Sequence, residues 1–109
     1  MTGLPTRGEV WWSDSPQYPR RPVVVMSRDR VISALRRPLV APCTTRIRGL
    51  ATEVELHPDL DPVVRPCVVA LDSVESVSVG FLTERIGTLD SARMTQICRA
   101  LAIATGCSG

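Results

Sequence analysis

Three short apolar runs organise this chain: Val23-Val24-Val25-Met26, Leu39-Val40-Ala41, and Cys67-Val68-Val69-Ala70-Leu71. The first is a β-branched triplet, and all three are short and apolar, so each predicts a buried strand. The second strand runs from Pro22 to about Ser27. The third runs from Leu39 to Thr44, and its Pro42 predicts an edge position or a bulge. The fifth covers Cys67–Leu71. Gly8-Glu9-Val10-Trp11-Trp12 reads as the opening strand. Thr52-Glu53-Val54-Glu55-Leu56 alternates polar and apolar, the pattern of a half-exposed strand. Val74–Ser78 alternates again, and Phe81–Leu89 contains a last short strand. Turn chemistry fills the gaps at Ser13–Pro19, Thr45–Gly49 and His57–Pro66.

Helical spacing occurs twice. Val31, Ile32 and Leu35 support one or two turns across Asp29–Arg37, with Asp29 as a cap. Met94, Ile97, Cys98, Leu101 and Ala102 mark one face of a longer helix, Ser91 to about Thr105. Asp90 caps it and Gly106 stops it. Short strands followed by one C-terminal helix predict a small, strongly bent antiparallel barrel of α+β, mainly β, character.

The chain has 109 residues, 44% of them apolar. That length suits one domain, residues 1–109 with a core at about 6–105, and the composition excludes general disorder. No apolar run approaches the roughly 18 residues a membrane span needs. Met1–Pro5 lacks the apolar stretch of a signal peptide, so the expected location is the cytoplasm. All thirteen basic residues are arginine. Residues 20–48 carry eight arginines against one acid, a local charge of +7 in a chain whose net charge is +2. Such a segment points to an anionic partner, with nucleic acid the first candidate.

Cys43, Cys67, Cys98 and Cys107 form no Cys-x-x-Cys pair, and His57 is the sole histidine. No metal site or cofactor is therefore expected. Cys43, Cys67 and Cys98 read as small buried hydrophobes in a reducing compartment. His57 sits beside Pro58 without an orienting group, which argues against a Cys–His nucleophile.

The sharpest chemical signal is Arg20-Arg21-Pro22 ahead of the valine strand. Pro22 fixes its own φ and drives Arg21 toward extended backbone. Arg21 is thereby held at a loop-to-strand junction, a rigid place from which to meet an anion. As a purely structural residue it would make a surface ion pair, with Glu9 the nearest candidate by strand order. Trp11 and Trp12 face opposite sides of their strand, so one points outward, toward a base, a dimer interface or a partner.

These pieces together resemble the MazF/PemK family of toxin endoribonucleases. Arg7-Gly8-Glu9-Val10-Trp11-Trp12 is similar to the family's opening strand. Arg21-Pro22-Val23-Val24-Val25 is similar to its Arg-Pro motif, and Leu39–Thr45 to the strand that ends in its active-site threonine. Thr52–Leu56, Cys67–Asp72 and the final helix follow in order, and the pattern is closest to actinobacterial members. The resemblance implies an SH3-like (CcdB/PemK-like) barrel with a C-terminal helix, assembled as a homodimer. It implies metal-free cutting of single-stranded RNA and silencing by a cognate antitoxin protein. Carried over by position, Arg21 and Thr44 are catalytic. Arg20, Thr45, Arg46 and Arg48 contact RNA, and Trp11 or Trp12 lies at the dimer or antitoxin interface. Some members place an Arg and an Asp beyond the fifth strand. This chain has no arginine between Arg65 and Arg85, which leaves the general base open. Asp72 and Glu75, the nearest carboxylates, read as solvated strand ends. Two alternatives are a CcdB-like toxin that binds DNA gyrase and a non-catalytic RNA-binding barrel. The chain end, Ala104–Gly109, lacks the protruding aromatic that would favour the first. The RNA recognition sequence lies in loops and is not legible from these residues.

Overall fold

The computed structural model describes residues 3–107. Seven strands and two α-helices follow in the order β1 (Glu9–Ser13), β2 (Arg21–Val25), α1 (Asp29–Leu35), β3 (Leu39–Thr44), β4 (Glu53–Leu56), β5 (Cys67–Ala70), β6 (Glu75–Ser76), β7 (Leu82–Thr88) and α2 (Ser91–Thr105). The strands form one antiparallel sheet in the order β4-β5-β3-β2-β1-β7, with β6 also pairing β3. The sheet is open: β4 and β7 are its edges and do not pair with each other. Hydrogen bonds therefore do not close the barrel expected from the strand pattern. The last strand, expected to be short, is the longest at seven residues.

Val23, Val24 and Val25 are all fully buried because the sheet is packed on both faces. Val24 points into a layer with Val10, Ala41, Cys43, Leu56 and Val69, closed by Ile97 and Ala100 of α2. Val23 and Val25 point the other way, among Trp11, Val40, Val77 and Leu82, closed by Ile32 of α1. This is why β2 reads as an unbroken apolar run instead of alternating. Ile32 and Ile97 are the plugs of the two layers, and truncating either to alanine costs about 3 kcal/mol on general grounds.

Pro42 is central, not at an edge. On one side β3 pairs β2, with Val23 opposite Pro42. On the other, Cys43 pairs Val69 and Val40 pairs Glu75. Ala41 and Pro42 thus face five residues, Ala70–Val74, which bulge into a 3₁₀ turn at Leu71–Ser73. The ladder is broken where proline has no N–H to give, the bulge alternative drawn from its sequence. The same turn shortens the alternating stretch Val74–Ser78 to a two-residue strand.

The helix signals divide. Asp90 accepts the Arg93 N–H at 2.8 Å, and Gly106 takes the left-handed conformation that ends α2. Asp29 is not the cap of α1. Arg28 holds that place without a side-chain bond, and Asp29 lies in the first turn, where its carboxylate accepts the Arg7 N–H at 2.7 Å. A negative group there still suits the helix dipole. Cys98 is also corrected: it is exposed, and its Sγ accepts from Arg7 Nη2 at 3.1 Å. The buried face of α2 is centred on Ile97 and Ala100, with Met94, Leu101 and Ala104 packed beside them. Cys107 is exposed too, while Cys43 and Cys67 are buried as expected.

The segment between β4 and β5 is tied down by a buried ion pair. Asp61 accepts from Arg93 Nε at 3.1 Å and Nη2 at 3.1 Å, and from the His57 N–H at 2.9 Å. Its side chain is only 2% exposed. Next to it, Pro62 lies so close to Gly87 of β7 that a Cβ there would sit 2.4 Å from the Pro62 Cβ. Burial pushes the Asp61 carboxyl up, but the Arg93 hydrogen bond, the His57 N–H and the Arg93 charge bring it below its ordinary value. A carboxyl lowered by folding stabilises the protein above its unfolded pKa of about 3.9 and loses that contribution as pH falls through the folded value. Asp61→Ala should therefore cost about 3 kcal/mol in urea unfolding near pH 7, because it leaves a partly buried guanidinium without its carboxylate. The cost should shrink below about pH 4. An unchanged urea midpoint at neutral pH would show that the pair does not hold this segment.

Candidate active site

The register of β2 and β3 sets the site. Val25 pairs Val40, Val24 pairs Ala41 and Val23 pairs Pro42. The same register extrapolated by two residues points Arg21 toward Thr44, where the apolar run of β2 begins and that of β3 ends. Both residues line a groove of about 420 Å³, together with Trp12, Arg20, Thr45 and Arg65. Val63 and Val64 form one wall, and Cys43 and Cys67 lie at the floor.

Arg21 is held from outside the groove. Its Nη2 lies 2.7 Å from Glu75 Oε2, and its guanidinium stacks 4.0 Å from the Tyr18 ring centroid. Both members of the ion pair are largely shielded from water, at 26% and 21% exposure. Glu75 is thus the counter-ion of Arg21, not a solvated strand end, while Asp72 accepts from Thr52 Oγ1 at the surface. Glu9 is occupied elsewhere: it pairs with Arg85 at 3.5 Å and accepts Trp11 Nε1 at 2.9 Å. One edge of a planar guanidinium bonded to a carboxylate leaves further N–H groups for an anion.

Thr44 is half-buried, and its Oγ1 accepts the Arg46 N–H at 3.1 Å. An oxygen that accepts in this way keeps its own hydrogen free to donate. Thr45 also reaches the groove, contrary to the alternation expected of adjacent strand residues. It lies past the end of β3, where the pleat no longer applies.

The remaining expected residues separate. Arg20 lies over the Trp12 ring, 4.3 Å from its centroid, and pairs with Asp14 at 3.3 Å and Glu84 at 3.7 Å. Trp12 is the half of the tryptophan pair that faces the groove. Trp11 is a core residue, so it is not the outward-facing half. Arg46 and Arg48 are exposed on the loop after β3 and do not line the groove. Glu53 Oε1 shapes that loop by accepting the N–H groups of Arg48, Gly49 and Leu50. His57 pairs with Glu55 at 3.4 Å and not with a cysteine. Cys43 and Cys67 are both free thiols; the neighbouring Cys67 thiol and burial push Cys43 up, while the Cys43 thiol lowers Cys67. Among the described residues, no cluster of three or more His, Cys, Asp or Glu is placed to hold a metal ion. No helix among them is long and apolar enough to cross a membrane.

Sequence reasoning missed Arg65 and the valine wall. A signal was present, because Arg65-Pro66-Cys67-Val68-Val69 repeats the pattern of Arg21-Pro22-Val23-Val24-Val25.

Comparisons with known proteins give the family and the fold. Residues 6–105 match the family described as PemK-like, MazF-like toxin of type II toxin-antitoxin system. The chain is 60% identical over 108 residues to the probable endoribonuclease MazF5 of Mycobacterium tuberculosis, covering 99% of each chain. It is 35% identical over 101 residues to the probable endoribonuclease MazF2 of the same species, covering 93% of this chain and 98% of that one. A solved endoribonuclease from a mycobacterial species, in complex with its cognate antitoxin, superposes with a TM-score of 0.87 at 28% identity, over 96% of this chain and 98% of that one. The chain belongs to the MazF/PemK family of type II toxins.

Proposed function

We propose that this protein is an endoribonuclease toxin that cuts single-stranded RNA by attack of the substrate's own 2′-OH. One observation carries the reading: Arg21 and Thr44, at the adjoining ends of β2 and β3, line one groove. RNA supplies the nucleophile, so the protein need only splay the strand, align the 2′-OH with the phosphorus, and stabilise charge on the phosphoryl oxygens. Arg21 serves the last task with paired, charge-assisted N–H donors. Its stacking on Tyr18 and its bond to Glu75 fix the guanidinium plane before substrate arrives. The Thr44 hydroxyl donates to a phosphoryl oxygen. Trp12, backed on one face by Arg20, offers the other to a base. The P–O5′ bond breaks as the 2′-O–P bond forms, leaving a 2′,3′-cyclic phosphate and a 5′-hydroxyl. The active unit is a homodimer in this reading, the assembly implied by the family resemblance, and the site of action is the cytoplasm.

In a single-turnover assay, Arg21→Ala should lower cleavage about a thousandfold and Thr44→Ala about a hundredfold, with the circular dichroism spectrum unchanged. Thr45→Ala should change the rate by no more than about threefold, as expected for a backbone contact. A larger loss for Thr45→Ala than for Thr44→Ala would transfer the hydroxyl role to Thr45.

Cleavage should proceed in EDTA and should fail on a substrate carrying a 2′-deoxy sugar at the cut site. Cutting of that deoxy substrate would rule out 2′-OH attack.

The partner in this reading is an acidic antitoxin segment that folds across the groove. Its carboxylates meet the arginines and its apolar residues cover Trp12. Antitoxin and RNA should then compete, and binding should weaken with salt. A complex that still cuts RNA at full rate, or undiminished antitoxin binding after Arg20, Arg21, Arg46 and Arg48 are all neutralised, would place inhibition elsewhere.

A further inference from the structure

We propose that Arg65 is a second phosphate-binding residue, which holds the RNA backbone at a phosphate neighbouring the one at Arg21 and Thr44. The inference rests on the ribonuclease reading above and adds a group that the family motif does not supply.

Topology places it. β2 and β5 both run antiparallel to β3, one on each side, so they point the same way. Their N-terminal ends therefore both lie beside the C-terminal end of β3, where Thr44 is. Each of these ends carries an Arg-Pro step: Arg21-Pro22 opens β2, and Arg65-Pro66 immediately precedes β5. In both, the proline restricts the arginine to extended backbone at the mouth of a buried strand. Thr44 pairs Val68, and Arg65 lies three residues before Val68. At about 3.3 Å per residue, Arg65 sits up to about 10 Å further along than Thr44. That displacement suits the next stretch of a strand lying in the groove, not a second grip on the same phosphate.

Charge pairing points to the same residue. Three guanidinium groups line the groove: Arg20, Arg21 and Arg65. Arg20 is paired with Asp14 and Glu84, and Arg21 with Glu75. Arg65 is exposed, and among the described residues its side chain forms no ion pair or hydrogen bond. Of the three, it is the groove cation whose donors are not already engaged by a carboxylate of the protein. Its base is rigid, because the segment that carries it is anchored by the Asp61–Arg93 pair and by Pro62 against Gly87. An exposed side chain without bonds also contributes little to folding, so its substitution leaves the fold intact.

The test measures binding without cleavage. The affinity of the full chain for a mixed-sequence oligoribonucleotide with 2′-O-methyl sugars is measured across a salt series. For single strands the slope of log K against log salt is about −0.7 per phosphate neutralised. Arg65→Gln should reduce that slope by about 0.7, and Arg65→Lys should restore it, since a point charge is enough for a phosphate. Arg99→Gln, an exposed arginine on α2 away from this groove, serves as control and should leave the slope unchanged. On cleavable RNA, Arg65→Gln should raise KM several-fold with kcat nearly unchanged. A wild-type slope for Arg65→Gln, or an equal drop for Arg99→Gln, overturns the assignment while leaving the ribonuclease reading in place. A wild-type protein that does not bind the oligonucleotide at all overturns both.

Discussion

Burial of the β2–β3 ladder on both faces is the constraint from which the rest of the molecule follows. With α2 sealing one side and α1 the other, no residue from Val23 to Val25 or from Val40 to Cys43 can carry a charge without paying the full cost of desolvation. Chemistry is displaced to the ends of the two strands. Antiparallel pairing then brings the start of one and the finish of the other together. The approach of Arg21 and Thr44 is a product of that register, and a slip of one residue in either strand would turn that strand's residue to the wrong face. A small chain thereby brings two polar groups to one groove without building a separate scaffold for them.

Arginine at such a junction has to be disciplined. A free guanidinium on a long side chain samples many poses, and binding an anion would have to order it each time. Tyr18 and Glu75 do the ordering in advance, one from the face and one from the edge. The carboxylate also tempers the local potential, so the groove is not a bare cationic surface. Lysine could not take this place, because an ammonium neither stacks on a ring nor presents a planar set of donors.

Local features of the fold were legible where a signal and its target lie close together in sequence. The bounds of β3, the Asp90 cap and the Gly106 stop are of this kind, as is the strand character of Cys67–Ala70. Signals failed where a distant group outbid the local one. Asp29 looks like a cap, but the Arg7 N–H, 22 residues away in sequence, claims its carboxylate. Cys98 falls on an apolar helical spacing, yet the sheet selects a neighbouring stripe of α2, and the thiol is left outside. In the candidate site, the placement of Arg21 and Thr44 at strand ends was legible through their motifs. Glu75 was not, because its role exists only once a partner 54 residues away has been placed beside it. The valine wall carried no pattern at all, since a proline-rich loop folds by its anchors and not by periodicity.

Those anchors have a thermodynamic consequence. Asp61 takes its hydrogen bonds from Arg93, in the first turn of α2, and two residues later the same segment becomes the wall of the groove. The wall and the helix seat are thus members of one cooperative opening unit. A ligand that settles against Val63 and Val64 acts on that unit as a whole, adding its binding free energy to the docking of a helix it never touches. Amide exchange along α2 becomes a remote gauge of groove occupancy, slowing when the groove is filled and quickening when it empties.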